Sequence, residues 1–269
     1  MNDTHAPLLQ ARHLSFAYPG QPPVLTDISL SIHRQEVVVL LGSSGCGKST
    51  LLRLLAGLAP AREGNIRFLG QPLHSPHPRS ALVFQQPSLL PWLRVGQNVA
   101  YGLTFKHQPT LSRNERNARV TEALEAAGLR SYMNAWPTEL SGGQSQRAAL
   151  ARALARQPEL LFADEPFSAL DPISRAGMQR LLVDLVHRWH TAVLLVTHDI
   201  DEALQVADRI VLMGGSPGQI HQEWVIETPH PRAERDSEMA ERRLDILEQL
   251  HLLNSLPESS TTAGHQHEV

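Results

Sequence analysis

Cysteine is nearly absent. The 269 residues contain one, Cys46, so no disulfide can form within the chain, and the composition suits a reducing compartment. Long apolar runs are missing too. The most apolar stretches, VVVLL at Val37 to Leu41 and AVLLV at Ala192 to Val196, fall far short of the roughly 20 residues that cross a bilayer. Any work at a membrane therefore needs a partner to supply the span. The start, MNDTHAPLLQ, has no basic segment followed by an apolar run, which predicts a protein that is not exported and stays in the cytosol. There is no excess of positive charge: the formal balance is -3, which gives no general attraction to nucleic acid. What remains is 42% hydrophobic and 19% charged, enough for one large or two modest cores.

The pattern along the chain divides it. Ile28, Leu30 and Ile32 alternate with Ser29, Ser31 and His33, and Ile66 and Phe68 alternate likewise. This predicts half-buried antiparallel strands, with turns at YPGQPP (Tyr18 to Pro23) and at Gly64-Asn65. By contrast EVVVLL, ELLFA at Glu159 to Ala163 and TAVLLV at Thr191 to Val196 are unbroken apolar runs, as in strands covered by helices on both faces. The expectation is an α/β fold with a mainly parallel core sheet. Between Phe105 and Pro158 the strand signal disappears, and Ser112 with Glu115 forms a capping box before a helix-rich segment. After about Pro229 comes a charged segment with Leu244, Leu247 and Leu250 at helical spacing, followed by a polar end expected to be disordered.

GSSGCGKST, residues Gly42, Ser43, Ser44, Gly45, Cys46, Gly47, Lys48, Ser49 and Thr50, follows the VVVLL strand and precedes the apolar LLRLLAGL helix. That strand, loop and helix context is what a phosphate loop requires. Glycines let backbone N–H groups wrap a polyphosphate, the helix N-terminus adds positive potential, and Lys48 adds a point charge. Ser49 is the expected Mg²⁺ ligand. LLFADEP ends an apolar strand in two carboxylates. Asp164 is assigned to the magnesium shell, and Glu165 to the attacking water, whose proton it can accept.

Leu140, Ser141, Gly142, Gly143 and Gln144 form a second phosphate-binding shape without a lysine. With the preceding motifs it makes the chain resemble the ATP-binding subunits of ABC transporters over nearly its whole length. The resemblance implies a P-loop NTPase core with an antiparallel β portion and a helical signature subdomain at about 87–158. It implies an ATPase that binds ATP and Mg²⁺, with Ser141 to Gln144 contacting the γ phosphate of ATP bound to a second copy. It also gives Gln85 a role at the magnesium and water, with neighbouring Gln86 as the alternative. His198 becomes the switch histidine at the γ phosphate, Asp171 a link between the two sites, and Tyr18 the platform for adenine, with Phe16 as the alternative. Cys46, inside the loop near a helix N-terminus, is expected to have a lowered thiol pKa, so that alkylation blocks ATP binding.

FQQPSLLPWLRVGQNVAYGL, the SPGQI stretch at Ser216 to Ile220 and the HPR-containing tail are similar to importers of nitrate, taurine and aliphatic sulfonates. Ser145 and the TPHPR stretch at Thr228 to Arg232 depart from that subgroup's pattern. The similarity implies work at the cytoplasmic face of the inner membrane, with permease subunits and a periplasmic or extracellular solute-binding protein, and no direct contact with nucleic acid. Pro91 and Trp92 are expected near the permease. An exporter subunit, or a soluble ABC ATPase acting on nucleic acid or ribosomes, is the alternative. The expected division is an ATPase domain over 1–228, a helical appendage over 229–255 and a tail over 256–269.

Overall fold

The computed structural model describes residues 6–232 and 237–255. Strands β1 (Leu9–Ala17) and β2 (Pro23–Ile32) come first, then β3 (Val37–Gly42) and helix α1 (Lys48–Leu55). Next are β4 (Glu63–Phe68), β5 (Gln71–Pro72) and β6 (Ser80–Val83). A helical stretch follows, α2 (Val95–Ala100), α3 (Arg113–Ala126) and α4 (Gly142–Leu154). The chain then alternates through β7 (Leu160–Asp164), α5 (Pro172–Trp189), β8 (Ala192–Thr197) and α6 (Ile200–Val206). It finishes with β9 (Arg209–Gly214), β10 (Gln219–Val225) and α7 (Ser237–Ser255).

The alternating segments build an antiparallel sheet ordered β2-β1-β4-β5, and Ile28, Leu30, Ile32, Ile66 and Phe68 are all buried in it. The unbroken apolar runs build a second sheet ordered β10-β9-β3-β8-β7-β6, parallel throughout except for the β9–β10 hairpin. Both faces of this sheet are covered, and β3 shows how. Val37, Val39 and Leu41 pack with α5 and α6 residues such as Val186 and Ala203, whereas Val38 and Leu40 pack with α1 and the antiparallel sheet. Each such buried Val or Leu contributes roughly 1.5–3 kcal/mol. A separate core of Val95, Val99, Val120, Leu124 and Ala148 holds α2, α3 and α4 together. The Ser112–Glu115 capping box is present at the start of α3, the serine N–H donating to Glu115 Oε2 at 2.7 Å.

The turn expected at Gly64-Asn65 is absent, whereas the helix expected after Pro229 is present as α7. Gly64 and Asn65 lie inside β4. There β1 carries an extra residue between Arg12 and Ser15, and Gly64 takes φ +81° where a Cβ would stand 2.4 Å from the carbonyl oxygens of Arg12 and His13. The glycine that suggested a turn serves a β-bulge instead. On α7 the inward stripe is Met239, Ile246, Leu250 and Leu253, while Leu244 faces solvent at 65% exposure. A spacing of three drifts off the buried face, and the four-and-three spacing from Ile246 stays on it. The segment over 256–269 lies outside the described residues.

Candidate active site

The parallel strands all end at one edge of their sheet, and chemistry gathers there, as expected of open α/β sheets. From the end of β3 the chain turns through Ser43 to Gly47 into α1. Gly42 is required by crowding, since a Cβ there would meet the Met213 carbonyl oxygen at 2.1 Å; Gly47 takes φ +94° with Leu25 Cδ2 at 2.7 Å. Lys48 is buried, and its Nζ donates to the carbonyls of Gly42 at 2.8 Å and Ser43 at 2.7 Å. The ammonium is thereby kept inside the loop's curve. Ser44 and Gly45 form the exposed tip, and Ser49 and Thr50 lie on the first turn of α1.

Cys46 departs from expectation. The helix starts two residues later, and the side chain is buried at 4% exposure, with Sγ 3.9 Å from Lys48 Nζ. Burial pushes the thiol above its ordinary pKa, the Lys48 charge opposing this only in part. The neighbouring cation and helix terminus do not overcome desolvation.

From the end of β7, Asp164 Oδ1 accepts the Ser49 hydroxyl at 2.9 Å. Glu165 adopts φ +45°, a conformation uncommon for a residue with a Cβ, and is fastened there by its N–H to the Val196 carbonyl at 3.0 Å. The Ser168 hydroxyl donates to the Glu165 carbonyl at 3.0 Å. From the end of β8, His198 brings Nδ1 to 3.2 Å from Glu165 Oε1. A carboxylate only accepts, so Nδ1 carries the proton in this contact.

Tyr18 follows β1, half-buried, with its hydroxyl 3.4 Å from Thr50 Oγ1. Phe16 is buried and meets the Tyr18 ring edge-on at 5.0 Å, which leaves Tyr18 as the aromatic open to a ligand. Gln85 and Gln86 are both exposed just past β6. Sequence reasoning missed what holds their loop: α4 supplies Gln146, which donates to the Phe84 carbonyl at 3.2 Å, and Arg152, which donates to Pro87 and Ser88 carbonyls at 2.9 and 2.8 Å. The one available signal was a polar Gln146 among the buried alanines of α4.

Ser141 caps α4, accepting the Gln144 N–H at 3.3 Å while its own N–H donates to Gln144 Oε1 at 2.9 Å. Gly142 and Gly143 follow at the first two helical positions, and nothing lies within 4 Å of a Cβ added at Gly142. This helix start is open, yet among the described residues no hydrogen bond joins it to Gly42 to Thr50 of the same chain. Asp171 caps α5, accepting from Ile173 and Ser174 N–H groups at 3.1 Å, and the Ser174 contacts hold its carboxyl below the usual carboxylate range. It is exposed beside Ile173, itself 86% exposed.

The residues present fit a magnesium ion. The Ser49 hydroxyl and the Asp164 carboxylate form an all-oxygen pair, which suits a hard cation. Among the described residues no group of three or more His, Cys, Asp or Glu could hold a metal. An ion at this pair would complete its shell from phosphate and water oxygens, as Mg²⁺ does in nucleotide sites.

Residues 25–168 match the sequence pattern of the family described as "ABC transporter". The aliphatic sulfonates import ATP-binding protein SsuB 2 of Burkholderia cenocepacia (strain HI2424) is 41% identical over 242 residues, 90% of this chain and 87% of that protein. SsuB 1 of Xanthomonas axonopodis pv. citri (strain 306), of the same description, is 45% identical over 244 residues, 90% of this chain and 96% of that one. Among solved structures, a dimeric ATP-binding cassette in a post-hydrolysis state, bound to ADP and Pi, superposes with a TM-score of 0.70 at 31% identity. That match covers 82% of this chain and 100% of the other.

Proposed function

The chain belongs to the ABC transporter family and is an ATPase, and from that premise we propose that it energises an importer of small organic anions of the aliphatic sulfonate type. The observation that carries the ATPase chemistry is the convergence of Lys48, the Ser49–Asp164 pair and the Glu165–His198 pair at the ends of β3, β7 and β8. The import direction is supported by the relatives' names, which favour it over an exporter or a soluble ATPase acting on nucleic acid.

In this reading the N–H groups of Gly42 to Thr50 and the Lys48 ammonium bind the β and γ phosphates, and Tyr18 stacks on adenine. Ser49 and Asp164, with Gln85 reaching across from β6, would hold Mg²⁺, whose charge neutralises the phosphate oxygens when bound. Glu165 accepts the proton of a water aligned with the γ phosphate. His198 holds that carboxylate in place, and the bonds of the Glu165 backbone to Val196 and Ser168 hold its unusual conformation. Ser141, Gly142, Gly143 and Gln144 of a second copy close the site, a helix start needing no lysine when Lys48 already stands opposite. Asp171 lies between the two sites of the pair.

The nucleotide then biases closed against open pairs, because the γ-phosphate contacts vanish on hydrolysis. That motion is passed to permease subunits, which supply the membrane span, since no helix among the described residues is long and apolar enough to cross a bilayer. The protein works peripherally on the cytoplasmic face, with the helical subdomain at about 87–158 presenting Trp92, 69% exposed, toward the permease. A solute-binding protein outside the membrane completes the system.

Glu165→Gln tests the chemistry: turnover falls by roughly 10²–10⁴-fold while ATP binding is kept, as for loss of a general base. Normal turnover in that variant would remove the assignment. Uptake of a short alkanesulfonate should be lost in cells lacking the chain; uptake that persists would remove the substrate class.

A further inference from the structure

Behind the Glu165–His198 pair lies a set of charges that the chemistry above does not use. Glu202, on the first turn of α6, is 4% exposed, and its Oε1 has no hydrogen-bond partner among the described residues. Its carboxyl lies beside the Thr197 side chain, and its backbone N–H donates to Asp199 Oδ1 at 3.0 Å. Asp199 in turn gives its N–H to Thr197 Oγ1 at 3.1 Å and takes Arg175 Nη1 on Oδ2 at 3.3 Å. From α5, Arg175 extends Nη2 to the Leu170 carbonyl at 3.3 Å. Thr197 and Asp199 are the two residues that flank His198. Leu170 belongs to the loop that follows Glu165.

An ionisable side chain buried this far is costly, and apolar packing gives no reason for it, because its neighbours Ala203, Leu204 and Val206 fill the core without it. We propose that Glu202 is a positioning residue: with Asp199 and Arg175 it locks the Thr197–Asp199 segment, and so the His198 imidazole, against the loop after Glu165. This rests on the reading of Glu165 and His198 as the hydrolytic pair.

The electrostatics agree with the geometry. Burial, then the Asp199 charge, pushes the Glu202 carboxyl up to about 8; Thr197 and Arg175 oppose this, and Glu165 adds to it. The groups facing Glu202 are Asp199, which caps its own helix, Arg175 from α5, Glu165 from the end of β7 and Thr197 from the end of β8. From α7, Arg243 binds Asp201 on the exposed side of α6, and β3 offers apolar side chains. Glu202 is thus a neutral acid at pH 7 and ionises as the pH rises through about 8, placing an unpaired charge beside Asp199.

The test is kcat and KM for ATP from about pH 6 to pH 9, on wild type, Glu202→Leu, Glu202→Gln and His198→Ala. Glu202→Leu should lower kcat about tenfold or more with KM changed less than about twofold, the mark of lost positioning rather than lost binding. Glu202→Gln, which mimics the neutral acid, should restore kcat at pH 7 to within about threefold of wild type and lack its alkaline decline near pH 8. Wild-type kcat in a folded Glu202→Leu, or an unchanged alkaline decline in Glu202→Gln, would overturn the proposal. Should Glu202→Leu fail to fold, the Glu202→Gln profile decides alone. A His198→Ala variant with normal kcat would instead remove the underlying pair, whereas a slow His198→Ala beside a normal Glu202→Leu removes only the role given to Glu202.

Discussion

At the scale of single residues, local crowding and long-range pairing do different work. Gly42 and Gly47 are required because a Cβ would strike Met213 or Leu25, and that requirement shows in the sequence as a spacing. Asp164 and Glu165 were legible in the same way, as carboxylates at the end of an apolar run. Glu165 meeting His198, and Arg175 meeting Asp199, were not, because these partners sit on separate strands or helices whose adjacency only the sheet order creates. Cys46 shows the limit most directly: its position beside a helix start suggested a reactive thiol, but burial, which a linear reading does not measure, dominates. With its pKa raised and its Sγ enclosed, Cys46 should react negligibly with a thiol reagent at pH 7–8 in the native protein and fully once unfolded. Rapid native labelling, protected by ATP, would contradict this and restore the original expectation.

At the scale of elements, alternation and continuity of apolar residues separate the two sheets well, since each pattern follows from how many faces a strand buries. The bulge at Gly64 and the rotation of α7 were not legible, because glycine suits both turn and bulge, and leucines at a spacing of three suit two overlapping helix faces. The buried face of α7 carries most of that helix's packing energy. Ile246 is fully buried beneath the helix whereas Leu244 is 65% exposed, so Ile246→Ala should cost about 2–5 kcal/mol and Leu244→Ala within about 0.5 kcal/mol, read from urea unfolding. Equal effects would mean that α7 does not dock through this face. Helix α4 has a double attachment: its start presents Ser141, and its side chains Gln146 and Arg152 grip the Phe84–Ser88 backbone beside Gln85. The open helix start and the glutamine loop are therefore joined through α4, which gives the helical stretch a direct hold on the proposed magnesium site.

At the scale of the whole molecule, the two halves of the proposed ATP site lie apart on one chain. Gly42 to Thr50, Glu165 and His198 gather at the strand ends, while Ser141 and Gly142 are exposed, with no hydrogen bond to that cluster among the described residues. The exposed start of α4 and the exposed Asp171–Ile173 cap are the surfaces that a second copy would cover in the proposed pair. The central claim is that each ATP is enclosed by two chains. Light scattering of Glu165→Gln with ATP and Mg²⁺, beside the same variant carrying Ser141→Arg, tests it most directly. The account predicts a dimer in the first and a monomer in the second, with ATP affinity the same in both. Dimers in both, or loss of ATP binding by the Ser141→Arg monomer, would contradict it.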